Sequence, residues 1–345
     1  MAGEPRARGE LDLAVLRARD RAGLLARIDR AVVWELPVRA RLHGLTHRDG
    51  VLLHGPAGWG EVAPFWDYDA AACAPWLAAG IEQAAVGLTS LPVRREQIAV
   101  HVVIPEVDAY QAHALVSESG ATTAEVRVAS SPGSLNADLR RLSAVRSALG
   151  PFGRVRIDLG GAWDLETALH TLPLMDRAAG GLEYAEQPCA SVTDLAVLRR
   201  RIDVPIAADE SIRRAPNPVA AARMSGAQVA VIKIAPLGGP ERALRIARDT
   251  GLRVVVSSAL ETSVGLAAGV RTAAALPGRA LACGLATASL LAADVTAPLE
   301  VSGGRIHVAT RSPDPKLIDH SPVDGDLLSK WLARLMACAP HILDR

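Results

Sequence analysis

From about residue 97 the chain alternates short aliphatic segments with longer helical ones, and this alternation strongly limits the folds that it can adopt. Half of the residues are hydrophobic but only 3% are aromatic, so the core must be built from Ala, Val, Leu and Ile. Such segments are typical of parallel strands buried on both faces. Eight of them occur, separated by seven helical segments: IAVHVVI, AEVRVA, RVRIDL, LEYAE, PIAADE, AVIKIA, RVVVSSA and ALACG. This count predicts an eight-stranded (β/α) barrel.

The rest of the chain predicts a second, smaller unit. Residues 1–30 have the pattern of an amphipathic helical extension, and residues 31–96 read as strands followed by a helix, which is typical of an α+β unit. We therefore predict a capping domain made of residues 31–96 plus about 297–345, and a barrel made of residues 97–296. The alternative is an open doubly wound sheet, but no GxGxxG turn follows any predicted strand.

Charge and apolar patterning exclude several classes of function. The net charge is +1, which argues against electrostatic binding to nucleic acid or to an anionic membrane. No stretch approaches about 18 uninterrupted apolar residues, and no early segment combines a basic start with an apolar run. The four cysteines form no CxxC pair, which favours reduced thiols over a disulfide framework or a zinc site. We expect a soluble, cytoplasmic protein.

Three predicted strands in succession end in a carboxylate. Asp158 closes RVRID, Glu186 closes LEYAE, and Asp209 follows PIAA. The carboxyl ends of barrel strands meet at one rim, so these side chains should lie side by side. Carboxylates that converge repel one another unless a cation neutralises them, and oxygen ligands favour Mg²⁺. The pattern predicts a magnesium site, although each acid alone could also be a solvated strand-end residue or pair with an arginine.

The next predicted strand carries Lys233 between apolar neighbours. Only three of the 38 Lys+Arg residues are lysine, so one that is kept inside a strand indicates a specific role. A partly desolvated lysine near a metal can have its pKa lowered toward neutrality and can then transfer protons, which arginine cannot do. We predict that Lys233 is catalytic; the alternative is a lysine that reaches solvent from the strand. Glu125 and Arg127, two residues apart in AEVRVA, should share one face of their strand.

Seven motifs occur together in an order that resembles one known family. They are GPAGWGE at 55–61, VRID at 155–158, LEYAEQPC at 182–189, DVPIAADESI at 203–212, KIAPLGG at 233–239, VVVSSALETSVG at 254–265 and ACGL at 282–285. With these motifs the chain resembles the enolase superfamily, muconate-lactonising subgroup, and within it the o-succinylbenzoate synthases of actinobacteria. The resemblance implies a modified (β/α) barrel with an α+β capping domain.

The resemblance also implies a reaction and a set of roles. Enzymes of this family remove a proton next to a carboxylate, form a metal-stabilised enediolate, and expel water to give an aromatic ring in the menaquinone pathway. The implied enzyme is a Mg²⁺-dependent lyase, with Mn²⁺ as a substitute ion, that acts on a small-molecule carboxylate. The implied site comprises Asp158, Glu186 and Asp209 for the metal, Lys233 across the substrate, Ser257, Ser258 and Glu261 beside the far end of the substrate, and Gly58 and Trp59 of the capping domain near the mouth.

Two predicted strands depart from the family pattern. The family has KxK in the second strand, with the second lysine as general base and acid, whereas this chain has Glu125-Val126-Arg127. Arginine stays protonated at neutral pH, so Arg127 is a poor base, but it can hold a carboxylate with two hydrogen bonds. The third strand of the family usually reads DxN, and here Gly160 stands in place of the supporting amide.

These departures leave three interpretations open. The first is a lyase of the o-succinylbenzoate synthase type. The second is an epimerase, cycloisomerase or other dehydratase of the same superfamily on a different carboxylate, with Lys233 or Glu125 as the base and Arg127 as a carboxylate clamp. The third is a catalytically impaired homologue. In structural terms, Glu125 could simply form a salt bridge with Arg127.

Overall fold

A computed structural model describes most of the chain, namely residues 9–18, 20, 23–42, 45–129, 131, 133–278, 281–314, 316–317 and 323–344. The strands are β1 (Arg30–Leu42), β2 (Leu45–Gly55), β3 (Gly58–Val62), β4 (Gln97–Ala99), β5 (Val102–Ile104), β6 (Thr123–Arg127), β7 (Arg154–Asp158), β8 (Leu182–Glu186), β9 (Ile206–Ala208), β10 (Val229–Lys233), β11 (Arg253–Ser257), β12 (Val301–Ser302) and β13 (Arg305–His307). The α-helices are α1 (Leu13–Arg17), α2 (Ala70–Ala85), α3 (Ala109–Ser119), α4 (Leu135–Leu149), α5 (Leu165–Ala178), α6 (Val192–Arg199), α7 (Glu210–Arg213), α8 (Pro218–Met224), α9 (Pro240–Thr250), α10 (Ser263–Ala275) and α11 (Gly325–Cys338).

The predicted barrel is confirmed. Strands β5 to β11 form one parallel sheet in sequence order, and helices connect most neighbouring strands. The eighth predicted segment, ALACG, closes this sheet through two parallel bridges: Cys283 pairs with Val100, and Gly284 pairs with Ser257. The first predicted segment is split, because its beginning becomes β4 and pairs antiparallel with β13. The eighth segment therefore joins both of its neighbours by backbone hydrogen bonds, although it is too short to form a regular strand.

Helix α9 shows how the outer helices follow from the sequence. It begins with Pro240, whose fixed φ suits the first turn of a helix, and it ends at Gly251 in the left-handed conformation. Its buried residues recur with helical spacing on one face: Ala243, Ile246, Ala247 and Thr250. Most of its other positions are charged or polar, so the helix lies with its apolar face on the barrel.

The capping unit is a three-stranded antiparallel sheet, β1–β2–β3, packed against helix α2. Helix α11, near the end of the chain, returns to this unit and packs on α2. Trp76 and Trp331 are fully buried in their shared core, and Trp331 Nε1 donates to Asp49 Oδ1 at 2.8 Å. In the described part of the chain, no helix is long and apolar enough to cross a membrane.

The GPAGWGE motif fastens the cap to the barrel. Gly60 lies so close to α2 that a Cβ would stand 2.1 Å from the Gly80 carbonyl oxygen, so only glycine fits. Glu61 is buried and accepts hydrogen bonds from the backbone N–H groups of Thr262 (3.1 Å) and Gly265 (2.9 Å) at the start of α10. Burial raises the pKa of Glu61 to about 8 despite these donors. The cap is thereby held over the carboxyl ends of the barrel strands.

Candidate active site

A cavity of about 610 Å³ lies between the cap and the carboxyl ends of the barrel strands. Its size suits a small organic molecule. The barrel contributes Glu125, Arg127, Asp158, Glu186, Lys233, Ser257 and Ser258 to its lining, and the cap contributes Arg48, Asp49, Phe65 and Trp66. This is the mouth of the barrel, the end at which catalytic groups of such barrels are found.

The charged residues predicted from the strand ends do lie side by side. Arg127, Asp158 and Glu186 are the last residues of β6, β7 and β8, and each pairs in register with the next. Asp209 follows β9, and Lys233 ends β10. The rim therefore carries an ordered row of one cation, three carboxylates and a second cation.

Two of the three carboxylates form ion pairs with basic side chains and do not point toward one another. Asp158 Oδ2 lies 2.6 Å from Arg127 Nη1, and Asp209 Oδ2 lies 2.6 Å from Lys233 Nζ. Asp209 Oδ1 also accepts from Arg213 Nε at 3.0 Å. Among the residues that the structure describes, no three His, Cys, Asp or Glu side chains are grouped to hold a metal ion. In this conformation Arg127 and Lys233 neutralise two of the three acids, and the metal site formed by the trio stays a prediction.

The donor chemistry of the row nevertheless fits a hard divalent cation. Burial raises the pKa of Glu186 well above its usual value, and the nearby charges of Glu125, Asp158 and Asp209 raise it further. Burial and neighbouring acids also raise the pKa of Asp158, against the opposing effect of Arg127. Glu186 forms no ion pair with any residue in the described ranges. These oxygens would hold Mg²⁺ once Asp158 and Asp209 turn from their cations.

The protonation of Lys233 differs from the expectation. Burial alone would lower its pKa, but the charge of Asp209 outweighs burial and raises the pKa above the usual value for lysine. Burial likewise opposes the ionisation of Asp209, yet Lys233 and Arg213 hold its pKa below the usual value. In this arrangement Lys233 is an ammonium ion. The predicted lowering toward neutrality is wrong for this conformation, because the nearest carboxylate is an ion-pair partner.

Glu125 is held by groups inside the barrel. His101 Nε2 lies 3.2 Å from Glu125 Oε1, and the Tyr184 hydroxyl donates to Oε2 at 3.3 Å. Arg156 Nη1 donates to His101 Nδ1 at 2.9 Å, so the ring proton of a neutral His101 is on Nε2 and faces Glu125. Burial opposes the ionisation of Glu125, but His101, Arg156 and Lys233 outweigh it and lower its pKa to about 2. A carboxylate held in this way is a weak base.

The exchanges at Arg127 and Gly160 fit one another. Gly160 has a φ of +56°, and a Cβ there would lie 2.8 Å from Arg127 Nη2. Its N–H donates to Asp158 Oδ1 at 3.0 Å. The missing side chain leaves room for the guanidinium beside Asp158. Although both Glu125 and Arg127 line the mouth, the expected salt bridge is replaced by the pairs Arg127–Asp158 and Glu125–His101.

The remaining predicted site residues are divided by the structure. Ser257 and Ser258 line the mouth, whereas Glu261 lies behind them and accepts from Ser258 Oγ at 2.7 Å. Gly58 and Trp59 are not among the described residues that line it. Trp59 instead packs on His54, with ring centroids 4.8 Å apart. The cap reaches the mouth through β2 and the segment after β3.

Three residues of the site were missed from the sequence. Arg48 is fully buried, lines the mouth, and stacks over the Phe65 ring at 4.3 Å. His101 was visible as a single histidine in an aliphatic strand, and Arg213 follows Asp209 at helical spacing. Only Arg48 gave no signal, because an arginine in a β-hairpin of an arginine-rich chain is ordinary.

Comparisons with known proteins agree with this fold and rim. A family model described as Enolase C-terminal domain-like matches residues 108–313, and one described as Enolase N-terminal domain-like matches residues 33–84. The chain belongs to the enolase superfamily.

Similar proteins identify the branch more narrowly. The chain is 54% identical over 260 residues to the o-succinylbenzoate synthase of Thermobifida fusca, which covers 75% of this chain and 81% of that protein. It is 44% identical over 316 residues to the o-succinylbenzoate synthase of Mycobacterium bovis, with 91% and 95% covered. A muconate lactonizing enzyme from Pseudomonas fluorescens, solved with muconolactone, superposes with a TM-score of 0.74 at 21% identity, with 92% and 100% covered. At that identity the structural likeness establishes the fold alone.

Proposed function

We propose that the protein is a Mg²⁺-dependent lyase of the o-succinylbenzoate synthase type. It dehydrates a small cyclohexadiene carboxylate to an aromatic product, and it works in the cytoplasm, where its four free cysteines stay reduced. The observation that carries the proposal is 44–54% identity to o-succinylbenzoate synthases over most of the chain. The charged side chains at the strand ends support it, since they could bind the metal ion and the substrate and transfer a proton.

The substrate carboxylate would enter a mouth that already holds cations on two sides. Arg127 on β6 is permanently charged and presents a planar fork, which suits bidentate binding of a carboxylate. Lys233 on β10 stands beyond the row of carboxylates, as an ammonium ion. Arg48 and Trp66 of the cap cover the opening and reduce the access of water. The substrate carboxylate would thus lie near the permanent charge of Arg127, with Lys233 on the other side of the mouth.

Asp158, Glu186 and Asp209 would hold the magnesium ion. When bound, it supplies positive charge for the enediolate that forms on removal of the proton next to a carboxylate. Asp209 is also the ion-pair partner that raises the pKa of Lys233, so a role as metal ligand would compete with this pair. In its neutral amine form, Lys233 is the group best placed to accept the substrate proton and to return it, since Glu125 is held ionised at low pKa and Arg127 does not release its proton.

The proposal is tested by incubating the protein with the cyclohexadiene carboxylate precursor and Mg²⁺, and by following the aromatic product. We expect turnover in the wild type that is lost in Lys233→Ala and retained in Lys316→Ala. The variant Arg127→Lys should be assayed beside them, because it restores the second lysine of the family pattern. Absence of turnover at high enzyme concentration in both wild type and Arg127→Lys would contradict the proposal.

A second function is favoured by one observation, the matched set of Arg127, Gly160 and Asp158. In this set an arginine replaces the base lysine of the second strand, and a glycine in the third strand makes room for it. This arrangement suits an epimerase, cycloisomerase or dehydratase that acts on another carboxylate. Such an enzyme would exchange a substrate proton next to the carboxylate for solvent deuterium. A panel of carboxylic acids in deuterated buffer distinguishes it: exchange without synthase turnover, lost in Lys233→Ala, supports the second function.

A further inference from the structure

A second large cavity lies at the opposite end of the barrel, where the strands begin. Its volume is about 720 Å³, within the range of small-molecule sites. Its lining contains five arginines and one acid: Arg95, Arg154, Arg156, Arg253, Arg305 and Glu183. The whole chain carries a net charge of only +1, so this concentration of arginine is local.

The arginines converge there because of their positions on the strands. Arg154 and Arg253 are the first residues of the parallel barrel strands β7 and β11, whereas Arg305 begins β13, which pairs antiparallel with β4. Parallel strands that begin at one end of a barrel bring their first residues to one rim. Gln97 and Thr123 add side-chain hydrogen-bonding groups beside them. The result is a concave basic surface with amide and hydroxyl groups, distinct from the mouth.

The lining is not neutralised by the protein itself. Glu183 is shared: Arg156 Nε lies 2.7 Å from its Oε2, and Arg253 Nη2 lies 3.7 Å from its Oε1. Within the described residues, Arg154 and Arg305 form no ion pair. Like charges gathered in a concave surface raise the local positive potential and attract anions. An anion bound there would relieve this repulsion.

One buried group also points to a ligand. The Arg156 side chain lines the cavity and is completely buried, and it donates to Glu183, His101 and the Ala282 carbonyl oxygen. Its remaining nitrogen, Nη2, is buried with no hydrogen-bond partner among the described residues. A buried donor without a partner is costly, and an oxyanion at the cavity floor would satisfy it.

We propose that this basal cavity is a binding site for a small multivalent oxyanion, either a phosphate or a polycarboxylate. Guanidinium forks bind both groups with paired hydrogen bonds. The two exposed, unpaired arginines, Arg154 and Arg305, would supply most of the affinity, while Arg156 forms the floor. Arg156 also contacts His101, which contacts Glu125 in the mouth. A bound anion is therefore linked to the mouth through two side chains.

The test is calorimetric titration of the full chain in metal-free buffer with inorganic phosphate and, separately, with citrate. We expect one saturable site for at least one of the two, and a loss of affinity of at least about tenfold in Arg154→Ala/Arg305→Ala, from two charge-assisted contacts. The anion that binds more tightly shows whether the site prefers a phosphate or a polycarboxylate.

Two single variants serve as controls. Arg248→Ala removes an exposed charge on the outside of α9, and Arg127→Ala removes the cation of the mouth. Both should leave the affinity unchanged. The proposal is overturned if neither anion binds in the millimolar range. It is equally overturned if binding survives Arg154→Ala/Arg305→Ala or is abolished by Arg127→Ala, since the anion would then occupy the mouth.

Discussion

The two ends of the barrel use charge in opposite ways. At the mouth, Asp158 and Asp209 lie against Arg127 and Lys233, so most of the charge is compensated inside the protein. At the base, arginine exceeds acid and the excess faces a cavity. A compensated mouth can accept a divalent cation together with a carboxylate, because the pair adds little net charge. An uncompensated base can accept an anion alone.

A polar column inside the barrel joins these ends. Glu183 at the base contacts Arg156, which contacts His101, which in turn contacts Glu125 at the mouth. Beside this column lies a small buried cluster formed by Tyr184, Ala207, Val229, Val231 and Val255. Because the column is buried, loss of one member leaves the polar groups of its neighbours without a partner.

The largest expected effect tests the mouth. Replacement of Lys233 by alanine should lower kcat/KM about 10²- to 10⁴-fold, the usual contribution of a positioned proton-transfer group. Steady-state assays with Mg²⁺ measure it, with Lys316→Ala as the matched lysine control. If Lys233→Ala keeps more than about a tenth of the wild-type kcat/KM, the base is another residue.

The next largest effect concerns the contribution of the polar column to the free energy of unfolding. Arg156→Met removes a buried cation and leaves Glu183 and His101 without their partner, which should lower the free energy of unfolding by about 3–5 kcal/mol. Urea unfolding followed by circular dichroism gives the value, beside Arg248→Ala, which should change it by less than about 0.5 kcal/mol. A loss below about 1 kcal/mol would mean that the column does not support the barrel.

A smaller effect tests whether Gly160 is needed to make room for the Arg127 side chain. Gly160→Ala places a methyl group against Arg127 and should cost more in the wild type than in an Arg127→Lys background. A double-mutant cycle on unfolding free energies should give a coupling of about 1 kcal/mol. Equal costs in the two backgrounds would assign the whole effect to the positive φ at this position.

The smallest expected effect concerns the base. Arg154→Ala should change the free energy of unfolding by less than about 0.5 kcal/mol. At low salt it should raise Tm slightly, because burial and the charge of Arg154 together lower the pKa of Arg146. The gain should vanish at high salt, where exposed charges are screened. Thermal melts at two ionic strengths check this, and a fall in Tm at low salt would show that Arg154 is a structural residue.

The alternation of apolar segments was sufficient to predict the barrel, since each strand is local and strongly aliphatic. The acids at strand ends were also predictable, because a barrel brings all carboxyl ends together. Their partners were not. The pairing of Asp158 with Arg127 depends on the space left at Gly160, and the contact of Glu183 with Arg156 depends on a bulge in the β7–β8 pairing. Neither leaves a periodic signal.

The contacts that the GPAGWGE motif makes were not predictable for a related reason. The family resemblance placed Gly58 and Trp59 near the mouth. In the structure, Gly60 of the same motif packs against α2 within the cap, and Glu61 joins the cap to the start of α10. Close backbone approach and a buried carboxylate both require tertiary neighbours that the sequence alone does not show.

The inward face of β7 carries Arg154, Arg156 and Asp158 in that order, from base to mouth. Sliding this strand by two residues along β6 would keep Val155 and Ile157 in the outer apolar core, so hydrophobic burial alone would tolerate the slip. The charges would not: an upward slip sets Arg156 against Arg127, and a downward slip sets Asp158 against Glu125. The charges on β7 therefore specify its register against β6, and they disfavour shifted registers that hydrophobic burial alone would allow.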